Sequence, residues 1–164
     1  MNRLLLLLFC MLVSLGSHAQ QTVTKTSHKK AIKKDVVTTG TLTIRKPDYI
    51  CISTDGDKEQ LIMEGTKFTM TAGNKKHVTD SRKNAQFATF HTVLKAVING
   101  QAIPQGDDLT VVTKGGSTIV TITPEGKKKR QLFTSFVLTI DARTKILKTL
   151  RMNGRSEDYT EYTF

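Results

Sequence analysis

The sequence predicts a mainly β protein, built as one large antiparallel sheet with a single helix across it. Short segments rich in Thr, Ile and Val recur along the chain, and turns containing Gly, Asp or Asn separate most of them. Only one segment has the periodicity of an amphipathic helix. Because most of the predicted connections are short, neighbouring strands should pair antiparallel rather than through parallel crossovers.

The first 19 residues have the pattern of a secretory signal peptide. Arg3 makes a basic start, residues 4–15 are an apolar run, and the segment closes on the small-x-small sequence SHA ending at Ala19. The apolar run is shorter than the roughly 20 residues of a membrane-spanning helix. We therefore expect cleavage after Ala19 and export of residues 20–164 as a single domain.

Composition narrows the classes of function further. Cys10 lies inside the apolar run behind the bulky Phe9, which argues against lipid attachment there. Cys51 is then the only cysteine after cleavage, so neither an internal disulfide nor a cysteine metal site can form. The chain has 25 Lys and Arg against 14 Asp and Glu. This excess of positive charge would favour binding to anionic lipid or to an acidic protein, or it is simply a solvated lysine-rich surface. Export argues against nucleic acid as the partner.

Strand signals dominate from residue 36 onwards. Residues 20–34 are polar and lysine-rich, and they are predicted as a frayed lead-in or an edge strand. Asp55-Gly56 and Gly73-Asn74 are hairpin-type turn signals. The predicted strands are residues 36–45, 48–54, 59–64, 67–72, 76–80, 109–114, 117–123, 131–141, 145–153 and 158–164.

Residues 85–99 form the predicted helix. Phe87, Phe90, Leu94 and Val97 recur at helical spacing, an asparagine directly before the segment can cap it, and Asn-Gly can end it. A helix of about 15 residues is only about 22 Å long. It can therefore cover only part of a sheet of about ten strands.

The inward-facing candidates are long, flexible or aromatic, and methionine in particular packs around varied apolar shapes. Under a partial helical cover, such a sheet would enclose an apolar cavity. The residues alone leave a second possibility open, in which the sheet curves until its own side chains fill the space as an ordinary core. The inward candidates are Leu42, Ile44, Ile50, Ile52, Leu61, Met63, Phe68, Met70, Val120, Ile122, Phe136, Leu138 and Leu150.

No residues show the spacing of a catalytic or metal site. His28, His77 and His91 are far apart and match neither HxH nor HExxH, and no GxSxG elbow occurs. We therefore expect neither enzyme activity nor a cofactor or metal.

One four-residue basic run lies in a predicted loop, and it consists of Lys127, Lys128, Lys129 and Arg130. It is either a solvated hairpin end or a docking site for an acidic partner or anionic headgroups.

The stretch GTLTIRKPDYICI at residues 40–52, followed by QLIMEGTKFTM, resembles the LolA-type outer-membrane lipoprotein carriers. That family has a Gly-led strand, a basic residue before Pro-Asp or Pro-Asn, an alternating apolar strand and an acidic-Gly turn. Here Glu64-Gly65 stands where the family commonly has Asp-Gly. The C-terminal stretch from TITPEG to TEYTF is similar to the family's ending. The resemblance covers roughly residues 38–164.

The resemblance implies an unclosed, strongly curved antiparallel β-barrel of about ten strands, with a helical lid over an apolar cavity. It implies a monomeric periplasmic chaperone that binds the acyl chains of lipoproteins and carries them from the inner to the outer membrane. The implied partners are acylated lipoproteins, an inner-membrane lipoprotein-releasing transporter, an outer-membrane acceptor and, transiently, the membrane surface. The alternative is a lipid- or lipoprotein-binding accessory, or an envelope sensor, of the same fold.

The resemblance also implies roles for individual residues. Lys46, directly before Pro47, takes the place of a basic residue that latches the lid, although lysine lacks the planar fork of arginine. The amphipathic helix with which the family begins is not visible in residues 20–39. The implied acyl-binding residues are Leu42, Ile44, Ile50, Ile52, Leu61, Met63, Phe68, Met70, Phe87, Phe90, Leu94, Val97, Ile122, Phe136 and Leu138.

Overall fold

The computed structural model describes residues 20–124 and 132–164, and this part of the chain contains eleven strands and one α-helix. The helix, α1, spans Ala85–Ile98. The strands are β1 (Gln20–Lys29), β2 (Lys34–Arg45), β3 (Tyr49–Thr54), β4 (Glu59–Glu64), β5 (Lys67–Ala72), β6 (Lys75–Asp80), β7 (Leu109–Lys114), β8 (Ser117–Ile122), β9 (Ser135–Asp141), β10 (Leu147–Asn153) and β11 (Tyr159–Thr163).

All eleven strands belong to one antiparallel sheet, in the order β6-β5-β4-β3-β2-β1-β11-β10-β9-β8-β7. Most neighbours are consecutive in sequence, as the short connections predict. The sheet is not closed, because β6 and β7 are its two edges within the described residues. The prediction of an open, mainly β architecture with one helix over it is confirmed.

The prediction for residues 20–34 as a frayed lead-in or an edge strand is wrong. Residues 20–29 form β1, which lies at the middle of the sheet and pairs with both β2 and β11. The polar composition of residues 20–29 does not indicate a central strand. A central strand can nevertheless be polar, because its backbone forms hydrogen bonds to both neighbouring strands whatever its side chains are. Residues 20–39 lie in β1, a short 3-10 turn and β2, so they do not form the amphipathic lid helix of the family.

The described chain buries one face of the sheet against α1, and we call this the inner face. In β9 every second residue points inward, and Phe136, Leu138 and Ile140 are all buried. The helix begins as predicted, because the Asn84 side chain accepts a hydrogen bond from the backbone N–H of Gln86 at 3.0 Å.

Gly40 of β2 lies against β3 with no room for a side chain. A Cβ atom at this position would lie 1.8 Å from the carbonyl oxygen of Ser53, so backbone would have to shift. We expect Gly40→Ala to lower the free energy of unfolding by about 2 kcal/mol or more, measured by urea denaturation. Gly106→Ala is the control, since its Cβ would first meet a side-chain oxygen of Asp108, at 3.0 Å. Equal losses in the two variants would contradict this explanation.

Candidate functional site

The start of α1 is tied to the segment that leads into β9. The side chain of Gln86 is buried, and its Nε2 donates a hydrogen bond to the carbonyl oxygen of Phe133 at 2.7 Å. The Oε1 of the same side chain accepts from the backbone N–H of Leu132 at 3.3 Å. One glutamine therefore satisfies two backbone groups and fixes the first turn of the helix over the sheet.

The middle and the end of α1 are tied to two turns of the sheet. His91 Nε2 donates to the carbonyl oxygen of Gly65, between β4 and β5, at 2.6 Å. Asn99 Nδ2 donates to the carbonyl oxygen of Pro47, between β2 and β3, at 2.7 Å. The helix is thus held as a lid by polar contacts along its length and by an apolar face underneath it.

Under the first half of α1 the interior is filled by aromatic rings. Phe90 stacks on Phe136 with 4.3 Å between ring centroids, and Phe68 lies 5.3 Å from both Phe87 and Phe90. These four side chains are almost completely buried. This half of the interior is therefore a packed core in the present conformation.

Under the second half of α1 lies a small cavity with a mostly aliphatic lining. Its volume is about 10 Å³, which is room for about one water molecule. An acyl chain would fit only if α1 or the lining side chains moved. The lining residues are Leu42, Ile44, Ile50, Ile52, Leu61, Met63, Phe68, Leu94, Leu147, Leu150 and Phe164.

The structure brings eight of the implied acyl-binding residues together around this cavity, and they are Leu42, Ile44, Ile50, Ile52, Leu61, Met63, Phe68 and Leu94. Phe87, Phe90, Ile122, Phe136 and Leu138 are buried in the core beside it. Val97 is buried and lines a separate pocket of about 110 Å³, and Met70 packs half-buried against the core.

Three lining residues are absent from the implied set: Leu147, Leu150 and Phe164. The alternation of inward and outward side chains along β10 places Leu150 among the inward candidates. Leu147 and Phe164 lie at strand ends, where alternation is a weak guide. The backbone N–H of Phe164 donates to the Lys148 carbonyl at 2.9 Å, which brings the end of the chain to β10.

An ion pair on the inner face marks the end of the apolar interior. Lys25 Nζ contacts Glu59 Oε2, and Thr54 Oγ1 donates to the same oxygen at 3.4 Å. Thr54 and Glu59 each lie two residues beyond a cavity-lining residue on their own strand, Ile52 and Leu61 respectively. Polar groups therefore replace apolar ones one layer away from the cavity.

The ion pair also affects its neighbour on β11, Tyr162. Burial, together with the nearby charge of Glu59, raises the pKa of Tyr162 well above its usual value. The phenol is therefore neutral at physiological pH.

Removing one member of this pair should destabilise the protein. The side chains of Lys25 and Glu59 are only 12% and 31% exposed, so Lys25→Met leaves a poorly hydrated carboxylate unpaired. We expect a loss of about 1–3 kcal/mol in urea unfolding, less than the 3–5 kcal/mol of a fully buried pair. The double variant Lys25→Met with Glu59→Met is the control, and it should recover most of the loss. A double variant as unstable as the sum of the single variants would contradict this coupling.

The hydrogen bond that holds the end of α1 comes from Asn99, while the side chain of Lys46 is exposed. We expect Asn99→Ala to speed amide exchange in the last turn of α1 about fivefold, because one net hydrogen bond contributes about 1 kcal/mol. Lys46→Ala tests the implied latch role in the same assay and should have the smaller effect. A larger effect from Lys46→Ala would assign the latch to lysine.

The sequence also singled out a basic run and a lone cysteine. Lys127, Lys128, Lys129 and Arg130 fall outside the described residues. Cys51 is half-buried on the outer face, where burial raises the pKa of its thiol.

Nowhere in the described ranges do three or more His, Cys, Asp or Glu side chains form a group that could hold a metal ion. None of the helices in residues 20–124 and 132–164 has the length and apolarity that a membrane crossing requires.

The fold and the interior define a class: open antiparallel β-barrels with a helical lid over an apolar interior. The family model described as "Outer membrane lipoprotein carrier protein LolA" matches residues 16–164, and the chain belongs to this family. Members of the family are periplasmic carrier proteins that bind lipoproteins. No curated protein matches the chain significantly.

Three similar solved structures are distant from this chain in sequence. A LolA superfamily protein from Nitrosomonas europaea is 6% identical, with 88% of this chain and 82% of that chain covered and a TM-score of 0.34. A chain from the complex of the CwlD amidase with the GerS lipoprotein of Clostridioides difficile is 13% identical, with 96% and 88% covered and a TM-score of 0.35. A DUF1329 family protein from Desulfovibrio piger is 11% identical, with 88% and 82% covered and a TM-score of 0.38.

Proposed function

We propose that the protein is an exported periplasmic carrier that shields the acyl chains of lipoproteins between α1 and the inner face of the sheet. The observation that supports this most is the cavity lining, because all eleven of its side chains are apolar. Each acyl methylene buried contributes about 0.8 kcal/mol, so acyl chains cross water only under such a cover. In this proposal cargo arrives from an inner-membrane lipoprotein-releasing transporter and leaves to an outer-membrane acceptor.

Loading requires the interior to open, because a cavity of about 10 Å³ holds no acyl chain. In this proposal α1 moves away from the sheet and acyl chains take the place of its apolar face. Leu94 is the lid residue at the cavity, while Asn99 and His91 provide polar contacts that release without breaking the sheet. A lid whose contacts are regained when cargo leaves would favour both uptake and release.

Native mass spectrometry of the mature protein, recovered from its own periplasm, tests the proposal. A co-purifying acylated lipoprotein is the expected result. Co-purifying free fatty acid or phospholipid would instead support the lipid-binding accessory. A purified inner-membrane fraction charged with lipoprotein gives the second readout, because a carrier releases lipoprotein into the soluble fraction and a sensor does not. Absence of both capture and release would overturn the carrier proposal.

The second candidate is the accessory or sensor that binds without transfer. It is favoured by one observation: β1 and β2 occupy the residues where the family usually has an amphipathic lid helix. The lid over the described interior is then α1, and cargo would have less apolar cover than in a family member whose lid also contains that helix. The release experiment separates this candidate from the carrier, since both bind but only the carrier extracts lipoprotein.

A further inference from the structure

The hairpin of β1 and β2 ends in a tip with the sequence KKAIKK, residues 29–34, which we call the basic tip. A single 3-10 turn over Lys30–Ile32 forms its apex, and all six residues are exposed. Ile32 is 62% exposed, the largest exposed fraction among the large apolar side chains of the described residues. The apex thus presents one apolar side chain between two pairs of lysines.

More exposed apolar surface follows the basic tip along β2. Val36 is 47% exposed and Val37 is 60% exposed. Successive strand residues point to opposite faces, so one valine lies on each side of the hairpin. One exposed apolar side chain therefore lies on each face of the hairpin, behind the apex.

Ion pairs fix the base of the tip to the connection between β10 and β11. Lys29 Nζ lies 3.1 Å from Asp158 Oδ2, and Lys30 Nζ lies 2.6 Å from Glu157 Oε1. The backbone N–H of Lys30 also donates to Asp158 Oδ1 at 3.0 Å. The apex is thereby presented in a defined position.

The lysines after the apex have a different environment. In the described part of the chain, the ion pairs of the tip are made by Lys29 and Lys30, while Lys33 and Lys34 are exposed. The ammonium groups of Lys33 and Lys34 therefore follow Ile32 directly and are available to anions outside the molecule. The 25 Lys and Arg against 14 Asp and Glu of the whole chain add a long-range attraction to any anionic surface.

We propose that the basic tip is a membrane-docking element, in which Ile32 enters the headgroup region and Lys33 and Lys34 contact lipid phosphates. The inference goes beyond the proposed carrier function, because it holds whether or not the interior carries acyl chains. A bilayer fits the tip better than a protein groove does. The apolar side chain projects from an apex between lysines on both sides, the arrangement of a shallow interfacial anchor.

A tryptophan reporter tests this directly, because the chain contains no Trp. Ile32→Trp is mixed with vesicles of phosphatidylcholine and phosphatidylglycerol, and with vesicles of phosphatidylcholine alone. We expect a blue shift of emission, and quenching by brominated lipid, with the anionic vesicles only. Ile146→Trp is the matched control, since Ile146 is 58% exposed and follows Lys145. An equal shift at position 146, or no shift at position 32, would overturn the proposal.

Co-sedimentation of Trp-free variants supplies the second readout. Each lysine near an anionic surface raises the partition coefficient about fivefold, so Lys33→Ser with Lys34→Ser should lower it roughly 25-fold. Ile32→Ser should lower it about tenfold through lost apolar burial. Lys75→Ser with Lys76→Ser on the edge strand β6 removes the same charge and should have a much smaller effect. Equal losses from the two lysine pairs would show attraction by net charge alone and would overturn the proposal.

Discussion

Replacing Phe90 by alanine is expected to lower the free energy of unfolding by about 3–5 kcal/mol. The Phe90 ring is completely buried, stacks on Phe136 at 4.3 Å between centroids and lies 5.3 Å from Phe68. Rings from α1, β5 and β9 meet here, so the void cannot collapse without moving the helix. Urea denaturation, with the midpoint and slope fitted separately, measures the loss.

The control for Phe90→Ala is Phe133→Ala. Phe133 is half-buried at the rim of the same aromatic cluster, and its ring touches Phe87 edge-on at 6.2 Å between centroids. Its backbone carbonyl still accepts from Gln86 after the substitution. We expect less than half of the loss seen for Phe90→Ala. Equal losses would show that the aromatic half is loosely packed and would contradict its description as a solid core.

Ile44→Glu is expected to lower the retention of acyl ligands at least tenfold while leaving the protein folded. Ile44 lines the cavity but is only half-buried, so a carboxylate can stay hydrated there in the empty protein. An acyl chain in the cavity would strip that hydration, and an unpaired polar group buried in protein costs about 1–3 kcal/mol. Fluorescent fatty-acid binding and capture of acylated lipoprotein measure the effect.

Two companion variants make the Ile44→Glu result interpretable. Thr92→Glu places the same charge on the exposed face of α1 and should leave ligand retention unchanged. Leu94→Glu charges the buried face of the lid and should abolish retention, although the fold itself is at risk there. If folded Ile44→Glu retained ligand as well as Thr92→Glu does, the assignment of the cavity as the acyl site would be wrong.

The predictions for Phe90→Ala and Ile44→Glu test two different halves of the interior. The aromatic half contributes stability under the start of α1. The aliphatic half under its end lines the cavity, next to the contact between Asn99 and Pro47. A lid that opened at its C-terminal end would expose the aliphatic half first and keep the aromatic core intact. We expect amide exchange in α1 to be faster in its last turn than in its first.

Local patterns in the sequence determined most of the secondary structure. Alternating apolar residues predicted β3, β4 and β5 to their end residues or within one residue, because one buried face imposes a period of two. Spacing of 3.6 predicted α1, and Asn84 caps it as expected. Seven of the eight clustered lining residues lie on strands whose alternation reveals the inner face, and the eighth, Leu94, follows from the helical spacing of α1.

Tertiary structure alone decided the rest. The central place of β1 was hidden because Lys25 faces inward and is stabilised by Glu59, a residue 34 positions away. Leu147 and Phe164 join the cavity through the pairing of β10 with β11, which no local pattern encodes. The cavity volume depends on how side chains from distant strands interdigitate beneath α1. A sequence pattern records which face a residue takes, whereas contacts between distant segments arise only when the chain has folded.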